Sequence, residues 1–296
     1  MAIVTDIVSI EDLELEPTGY YWDFPETIFT FGKYLSNSCL LKIAFGSCNC
    51  YVRIRGTQAK VVSIQSTTES IDLEELYDSL KKYSIKTVKF LEQKINLRSQ
   101  LPGGYKEAHW YTYESWRENT QISRNRRWQF RKAASSYDFV PVSKDSPSDL
   151  EEALRILSVW AKEAGKRQRI LGVGHYASCI RSHPKLETSH LFFARPKGSN
   201  ENVGIIGGYV RDKYAVAVNV KHDWSNKWLI HALWGFWVDY VHSNCGVTVA
   251  TAGGTNGKMT NNIKHRMGMK REDYYRPPKV LLASEVLSEA RLVSNQ

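Results

Sequence analysis

His222-Asp223 follows the β-like run Tyr214–Val220 and sets a group that titrates near neutral pH beside a carboxylate. A histidine so placed can accept a proton from an attacking amine or hydroxyl. The same residues also fit a surface turn in which Asp223 or Ser225 caps the next helix. Further on, Thr251-Ala252-Gly253-Gly254-Thr255-Asn256-Gly257 follows the apolar run Val247–Thr251. Its three glycines within five residues admit positive φ and close approach of a ligand to the backbone, or simply make a mobile strand-to-helix loop. Lys264 and Arg266 on the following helix could face that loop or solvent. The third feature is charge. Arg124, Arg127 and Arg131 share a stripe of the helical segment Gln121–Ala134, flanked by Arg126 and Lys132 and interleaved with Trp128 and Phe130. Five cations and no acid in 14 residues exceed the asymmetry of an ordinary solvated face. Between Lys258 and Lys279, seven cations (Lys258, Lys264, Arg266, Lys270, Arg271, Arg276, Lys279) stand against Glu272 and Asp273, with Tyr274 and Tyr275 among them. Cations neutralise phosphates and aromatic faces stack on unpaired bases, so a polyanionic substrate or donor is expected. An anionic membrane surface is the other reading.

The elements that must hold these residues can be read from turn chemistry and apolar spacing. Glu26–Leu35 reads as a helix, then Cys39–Phe45, Cys48–Arg55 and Ala59–Gln65 as strands joined by Gly46-Ser47 and Gly56-Thr57-Gln58 turns. A helix over Leu73–Tyr83, a strand at Lys86–Leu91, an aromatic strand at Ala108–Tyr113, the basic helix and a strand at Phe139–Val142 follow. The polar segment Lys144–Ser148 predicts a domain boundary, dividing the chain into 1–143 and 144–296, with Ser148 capping a helix over Asp149–Lys162 and Glu151 completing a capping box. After a helix at His175–Ser182 comes an antiparallel meander, Ser189–Arg195, Val203–Arg211 and Tyr214–Val220. Then come a helix over Lys227–His242, a strand at Val247–Thr251, a helix over Gly257–Met267 and a last helix near Leu281–Leu292. The first half repeats the order helix, three strands, helix, strand, which predicts an internal duplication and an α/β fold with mixed sheets.

The 296 residues carry 40 Lys+Arg against 31 Asp+Glu, a formal charge of +9, and are 42% hydrophobic, which suits two folded domains of ordinary size or one large one and excludes a disordered chain. No window approaches 18 uncharged apolar residues, so no membrane span is expected. Met1–Leu15 is acidic and unlike a signal peptide, and five scattered cysteines fit reduced thiols, so the expected location is cytoplasmic. No histidine pair has metal-ligand spacing, and no metal site is expected.

The element order of the second half is that of the GNAT acyltransferase fold, and the whole chain resembles the two-module FemAB-like aminoacyl-transferases and their lysyl-phosphatidylglycerol-synthase-type relatives. The stretches that carry this are Arg126-Arg127-Trp128, Phe130-Arg131-Lys132-Ala133, the strand pair Gly207–Arg211 and Tyr214–Val218, the helix Trp228–Tyr240, and Gly253–Gly257 followed by Lys264-His265-Arg266-Met267-Gly268-Met269. The resemblance implies a tandem GNAT-like protein with a degenerate N-terminal module and a catalytic C-terminal one. It implies transfer of an acyl or aminoacyl group to an amine or modified base, with aminoacyl-tRNA or acyl-CoA as donor. His222 or Asp223 would be the base, and Tyr209, Trp224, Thr251, Gly253, Asn256 and Lys264 would contact substrate. Arg124, Arg127, Arg131, Lys258, Arg266, Lys270 and Arg271 would meet nucleic acid. The CoA-type string Arg169-Ile170-Leu171-Gly172-Val173-Gly174 lies before the meander, whereas Lys221–Asn226, where such a loop belongs, has no glycine. That departure favours the FemAB-like mode, whose donor is an aminoacyl-tRNA or another activated acyl group. An acetyl-CoA-dependent N-acetyltransferase and a non-catalytic nucleic-acid-binding protein remain the alternatives.

Overall fold

The structure, a computed structural model, describes residues 2–13, 15, 17–33, 37–68, 71–167, 173–223, 228–253 and 257–282. In chain order the strands are β1 (Ile3–Asp6), β2 (Cys39–Phe45), β3 (Cys48–Arg55), β4 (Gln58–Ser66), β5 (Thr87–Phe90), β6 (Tyr105–Thr112) and β7 (Tyr137–Pro141). They continue with β8 (Ser189–Pro196), β9 (Gly204–Arg211), β10 (Tyr214–His222), β11 (Val249–Thr251), β12 (Lys270–Arg276) and β13 (Val280–Leu281). The helices are α1 (Pro25–Lys33), α2 (Leu73–Lys81), α3 (Arg124–Ala134), α4 (Pro147–Arg167), α5 (Val173–Ser182), α6 (Leu229–Ser243) and α7 (Gly257–Arg266). The expected helix near Leu281–Leu292 falls mostly outside the described residues, and its first residue belongs to β13.

Two compact units form, each discontinuous in sequence. One comprises Met1–Glu14, Leu35–Glu107 and Asp273–Gln296, the other Leu15–Tyr34 and Ala108–Glu272. This partition differs from a single cut at 143/144, chiefly because α1 packs on α5 in the second unit although it precedes β2 in the chain. Glu26, fully buried at the start of α1, explains the attachment: its Oε1 accepts from Thr188 Oγ1 at 2.7 Å and from Arg211 Nη2 at 2.6 Å. A buried carboxylate needs such partners, and Thr188 and Arg211 both belong to the second unit.

The sheet of the first unit runs β1-β2-β3-β4-β5-β13, antiparallel throughout except for parallel β4 and β5. That of the second runs β12-β6-β11-β10-β9-β8-β7; from β7 to β11 it is again antiparallel until the parallel pair β10–β11. The duplicated order expected from the sequence is therefore present as topology. Each copy carries a bulge in its fourth strand: Val62 is the extra residue between Val61 and Ser63 in β4, and Val218 between Ala217 and Asn219 in β10.

In the second unit one apolar core lies between the sheet and α3, α6 and α7, with Trp116, Phe130, Leu233, Trp234, Trp237 and Met267. A second lies on the other face, under α4 and α5, with Ile156, Leu157, Ile180, Phe193 and Ile205. Buried side chains of this kind are each worth roughly 1.5–3 kcal/mol, so the helices are held in place by both faces of one sheet. The cap of α4 sits two residues before its expected place: Asp149 N–H donates to Ser146 Oγ at 3.2 Å, and Pro147 takes the first helical turn, where its missing N–H costs nothing. Among the described residues no helix is long and apolar enough to cross a membrane, and no cluster of His, Cys, Asp or Glu is arranged to hold a metal ion.

A candidate active site in the split between two strands

The site begins with a pairing that stops. Among the described residues β10 pairs with β11 only through Tyr214–Val216 against Val249–Thr251, while its pairing with β9 continues to His222 opposite Gly204. Beyond Val216 the two strands part. Ala252 N–H donates to Trp110 O at 2.7 Å, and Trp110 N–H to Gly253 O at 3.2 Å, so the chain leaving β11 follows β6 instead. The bulge at Val218 turns β10 the other way, and its neighbours on β9 must be glycine. A Cβ on Gly208 would stand 1.7 Å from Val216 O, and one on Gly207 2.3 Å from His190 O. Gly207-Gly208 is thus the sequence mark of a bulge rather than of a ligand contact.

Where no strand intervenes, side chains from the two faces of the sheet can meet. Lys221, 5% exposed, extends from β10 toward α4 and α5, with its Nζ 3.6 Å from the Tyr176 ring centre and 4.4 Å from that of Trp160. Lys264, fully buried, comes from α7 on the opposite side. Its Nζ donates to Ala252 O at 2.7 Å and lies 5.5 Å over the Trp234 ring of α6. Burial lowers both ammonium groups to about 7, and the charge of Lys221 pushes Lys264 down further, so the two are within electrostatic reach. Among the described residues Lys221 has no ion pair and no hydrogen-bond acceptor.

Around them lies a neutral polar shell. Cys179 of α5 approaches Thr30 Oγ1 at 3.4 Å and His175 Nδ1 at 3.9 Å, and His175 Nε2 meets Tyr21 OH at 3.3 Å. Burial pushes the Cys179 thiol up to about 11 and Tyr176 to about 12, so both keep their protons at neutral pH. Tyr209, Cys179, Gly208, Val218 and Asn219 line a cavity of about 10 Å³, room for roughly one water. The Asn219 Oδ1 is buried there without a partner among the described residues. In the first unit the matching gap is shut: Gln93 Nε2 donates to Leu91 O at 3.0 Å and Val62 O at 3.5 Å, a neutral amide bridging the parted strands.

The residues singled out by sequence divide sharply. His222 lies inside β10, not beyond it, and is buried on the α6 side, with Nδ1 2.7 Å from Asp223 O. Thr251 pairs with Val216, six positions before His222, or about 20 Å along a strand, so the two do not converge. Asp223 is exposed. Thr251 Oγ1 accepts from Gly253 N–H at 3.2 Å and holds the turn, while Gly253 at φ +69° passes 3.5 Å from the Tyr21 ring at its Cβ position. Tyr209 is buried with its OH 3.5 Å from Thr30 Oγ1. Trp224, Asn256 and Gly172 lie outside the described residues. Lys221 is not among the expected site residues, because a lysine that directly follows the run Val216–Val220 gives no sign that it is buried.

The basic features are also sorted. On α3, Arg124, Arg131 and Lys132 are exposed around Trp128, itself 51% exposed, with Lys132 Nζ 5.0 Å over its ring. Phe130 is in the core, not interleaved with the cations, and Arg127 Nε is used on Ile122 O at 3.0 Å. Of the second cluster, Arg266, Lys270 and Arg271 are exposed and Lys258 lies on α7, but Lys264 is buried and Arg276 is paired with Glu92 and Glu107.

No protein-family model and no curated protein matches the chain. Solved structures do. A tandem GNAT protein from the clavulanic acid biosynthesis pathway aligns with TM-score 0.59 and 8% identity over 96% of this chain and 100% of that one. FemX aligns with TM-score 0.58 and 10% identity over 91% and 94% of the two chains. L-PGS from Bacillus licheniformis aligns with TM-score 0.57 and 10% identity over 94% and 98%. The chain has the tandem GNAT fold that its element order implies.

Proposed function

We propose that this chain transfers an acyl or aminoacyl group to an amine within the split of its second unit. The observation that carries the reading is the buried Lys264 ammonium held on Ala252 O just past the point where β10 and β11 part, with Lys221 near enough for its charge to act on it. A buried ammonium beside an opened backbone suits a carbonyl oxygen that becomes negative during attack by an amine. The Lys264 ammonium, anchored on Ala252 O, is placed for that oxygen, and the backbone of the Thr251–Gly253 turn lies beside it. Fixing the two reactants in this slot supplies the remaining advantage. His222, tied to a backbone carbonyl on the other face, is better suited to finishing the strand than to proton transfer.

For the donor, the exposed set Arg124, Arg131, Lys132 and Trp128 favours a nucleic acid, as do Arg266, Lys270 and Arg271. An aminoacyl-tRNA is consistent with these and with the likeness to FemX. Acetyl-CoA is the second reading, by likeness to the tandem GNAT protein of the clavulanic acid pathway, whose structure was solved without AcCoA. The test offers the chain labelled aminoacyl groups on total charged tRNA and, separately, labelled acetyl-CoA, with polyamine and nucleoside amines as acceptors. Transfer from tRNA that Lys264→Met lowers about 10²–10³-fold and His222→Ala leaves within a few-fold is expected. No transfer from either donor removes the reading.

A further inference from the structure

We propose that Lys221 takes the proton from the attacking amine, working across the split from the Lys264 ammonium. The inference rests on the acyl-transfer reading above and adds to it the group that the sequence leaves unassigned.

The argument is one of position. Lys221 stands on the part of β10 that has parted from β11, three residues past the bulge, with its ammonium buried on the α4–α5 side. The titratable groups facing it are Tyr176 and Cys179 of α5, Lys264 of α7 and, next along β10, His222, while α4 contributes the Trp160 ring. Tyr176 and Cys179 hold their protons at neutral pH because burial raises both. His222 points to the other face. The two lysines differ in what holds their protons. Lys264 donates to a carbonyl oxygen 2.7 Å away, which favours its charged form, whereas Lys221 has aromatic faces and no hydrogen-bond acceptor among the described residues. The charge of Lys221 acts on Lys264, and of two buried ammonium groups the one without a hydrogen-bond acceptor gives up its proton more readily.

The step balances without a further reagent. The acceptor nitrogen attacks the ester carbonyl carbon, forming the C–N bond and an oxyanion beside the Lys264 ammonium. The neutral Lys221 amine takes the proton that the nitrogen sheds. As the C–O bond to the donor breaks, the Lys221 ammonium returns that proton to the leaving oxygen. The free base is restored.

The test joins a spectroscopic and a kinetic measurement on the full chain. With ¹³Cε-labelled lysine, the NMR resonance missing from Lys221→Met is expected to titrate near 7 and to move upward in Lys264→Met, where the neighbouring charge is gone. kcat/KM for transfer is expected to rise with pH through the same range. It should fall about 10²–10⁴-fold in both Lys221→Met and Lys221→Gln, each checked for cooperative unfolding. A Lys221 resonance titrating near the ordinary lysine value of about 10.4 overturns the proposal. So does wild-type transfer that Lys221→Met and Lys221→Gln leave intact with an unchanged pH profile. Absence of transfer in the wild-type chain instead sinks the acyl-transfer reading itself, so the two failures are told apart.

Discussion

Single buried charges in this molecule work against its stability, which separates function from scaffolding. The Lys221 ammonium is lowered by burial to about 7 from 10.5, so between those values the unfolded chain binds the proton and the folded chain does not. Stability therefore rises as pH climbs from about 7 to 10.5 and is lowest below the folded value. Lys221→Met, which keeps the length of the side chain and fits its aromatic surround, is expected to raise the unfolding free energy by on the order of 1–4 kcal/mol at pH 7. The gain should fade by pH 10.5, as read by denaturant titration at the two pH values. Glu107 in the first unit runs the other way. Burial, aided by the charge of Glu92 and opposed by Arg276, raises its carboxyl to about 7 from 4.5. The folded chain then holds a proton that the unfolded one has lost, and stability falls as pH rises through that window. Glu107→Gln should flatten the dependence, its unfolding midpoint changing less between pH 5 and 8 than that of the parent; an unchanged slope would show that Glu107 is ionised throughout. Neither group is legible as buried from sequence. A lysine at the end of a strand and a glutamate in Tyr105–Thr112 look like ordinary solvent-facing residues, because periodicity reports which face a residue lies on, not what covers that face.

At the scale of elements the reactive slot depends on a bulge, and the bulge depends on two glycines. Gly208→Ala would push a methyl group to 1.7 Å from Val216 O, backbone against backbone, so β9 and β10 cannot keep their register. Loss of cooperative folding, or a loss above about 4 kcal/mol, is expected by thermal melting. Gly235 in α6 is the control: its Cβ would meet Trp116 Nε1 at 3.5 Å and Phe130 at 3.7 Å, ordinary contacts. Gly235→Ala should be neutral or stabilising by about 0.5–1 kcal/mol, since glycine is a poor helix residue. The central elements were readable in advance: β2 and β3 fall on their expected residues, and the meander β8–β10 pairs as expected. The missed strands are β1, β12 and β13. Lys270-Arg271-Glu272-Asp273-Tyr274-Tyr275-Arg276 has no apolar alternation because β12 is an edge strand with mostly exposed side chains, and an edge makes no demand for a buried face. Parting of β10 from β11 was likewise invisible, since it depends on where pairing stops.

For the whole molecule the consequence is that a cut at 143/144 does not free a folding unit. A fragment 144–296 lacks α1, β6 and α3 of the second unit, and with them the cover that Trp116, Phe130 and Ala133 give to the α6 side of the core. That fragment is expected to be insoluble or to lack a cooperative thermal transition by circular dichroism; a sharp two-state melt would show that the missing elements are dispensable. The amino-acid sequence by itself determined the kinds and order of elements, the duplicated plan and the tandem GNAT fold, because turn residues and apolar spacing act between near neighbours. It also marked the basic stripe of α3, where charges on one helical face are set by local periodicity alone. Only the tertiary structure decided that α1 joins the second unit, that Gln93 shuts the first split, and that Lys264 and Lys221 are buried in the second unit while His222 and Thr251 stand far apart. Those outcomes depend on which residues distant in sequence come to share a volume from which water is excluded, and nothing in a residue's immediate neighbours specifies that.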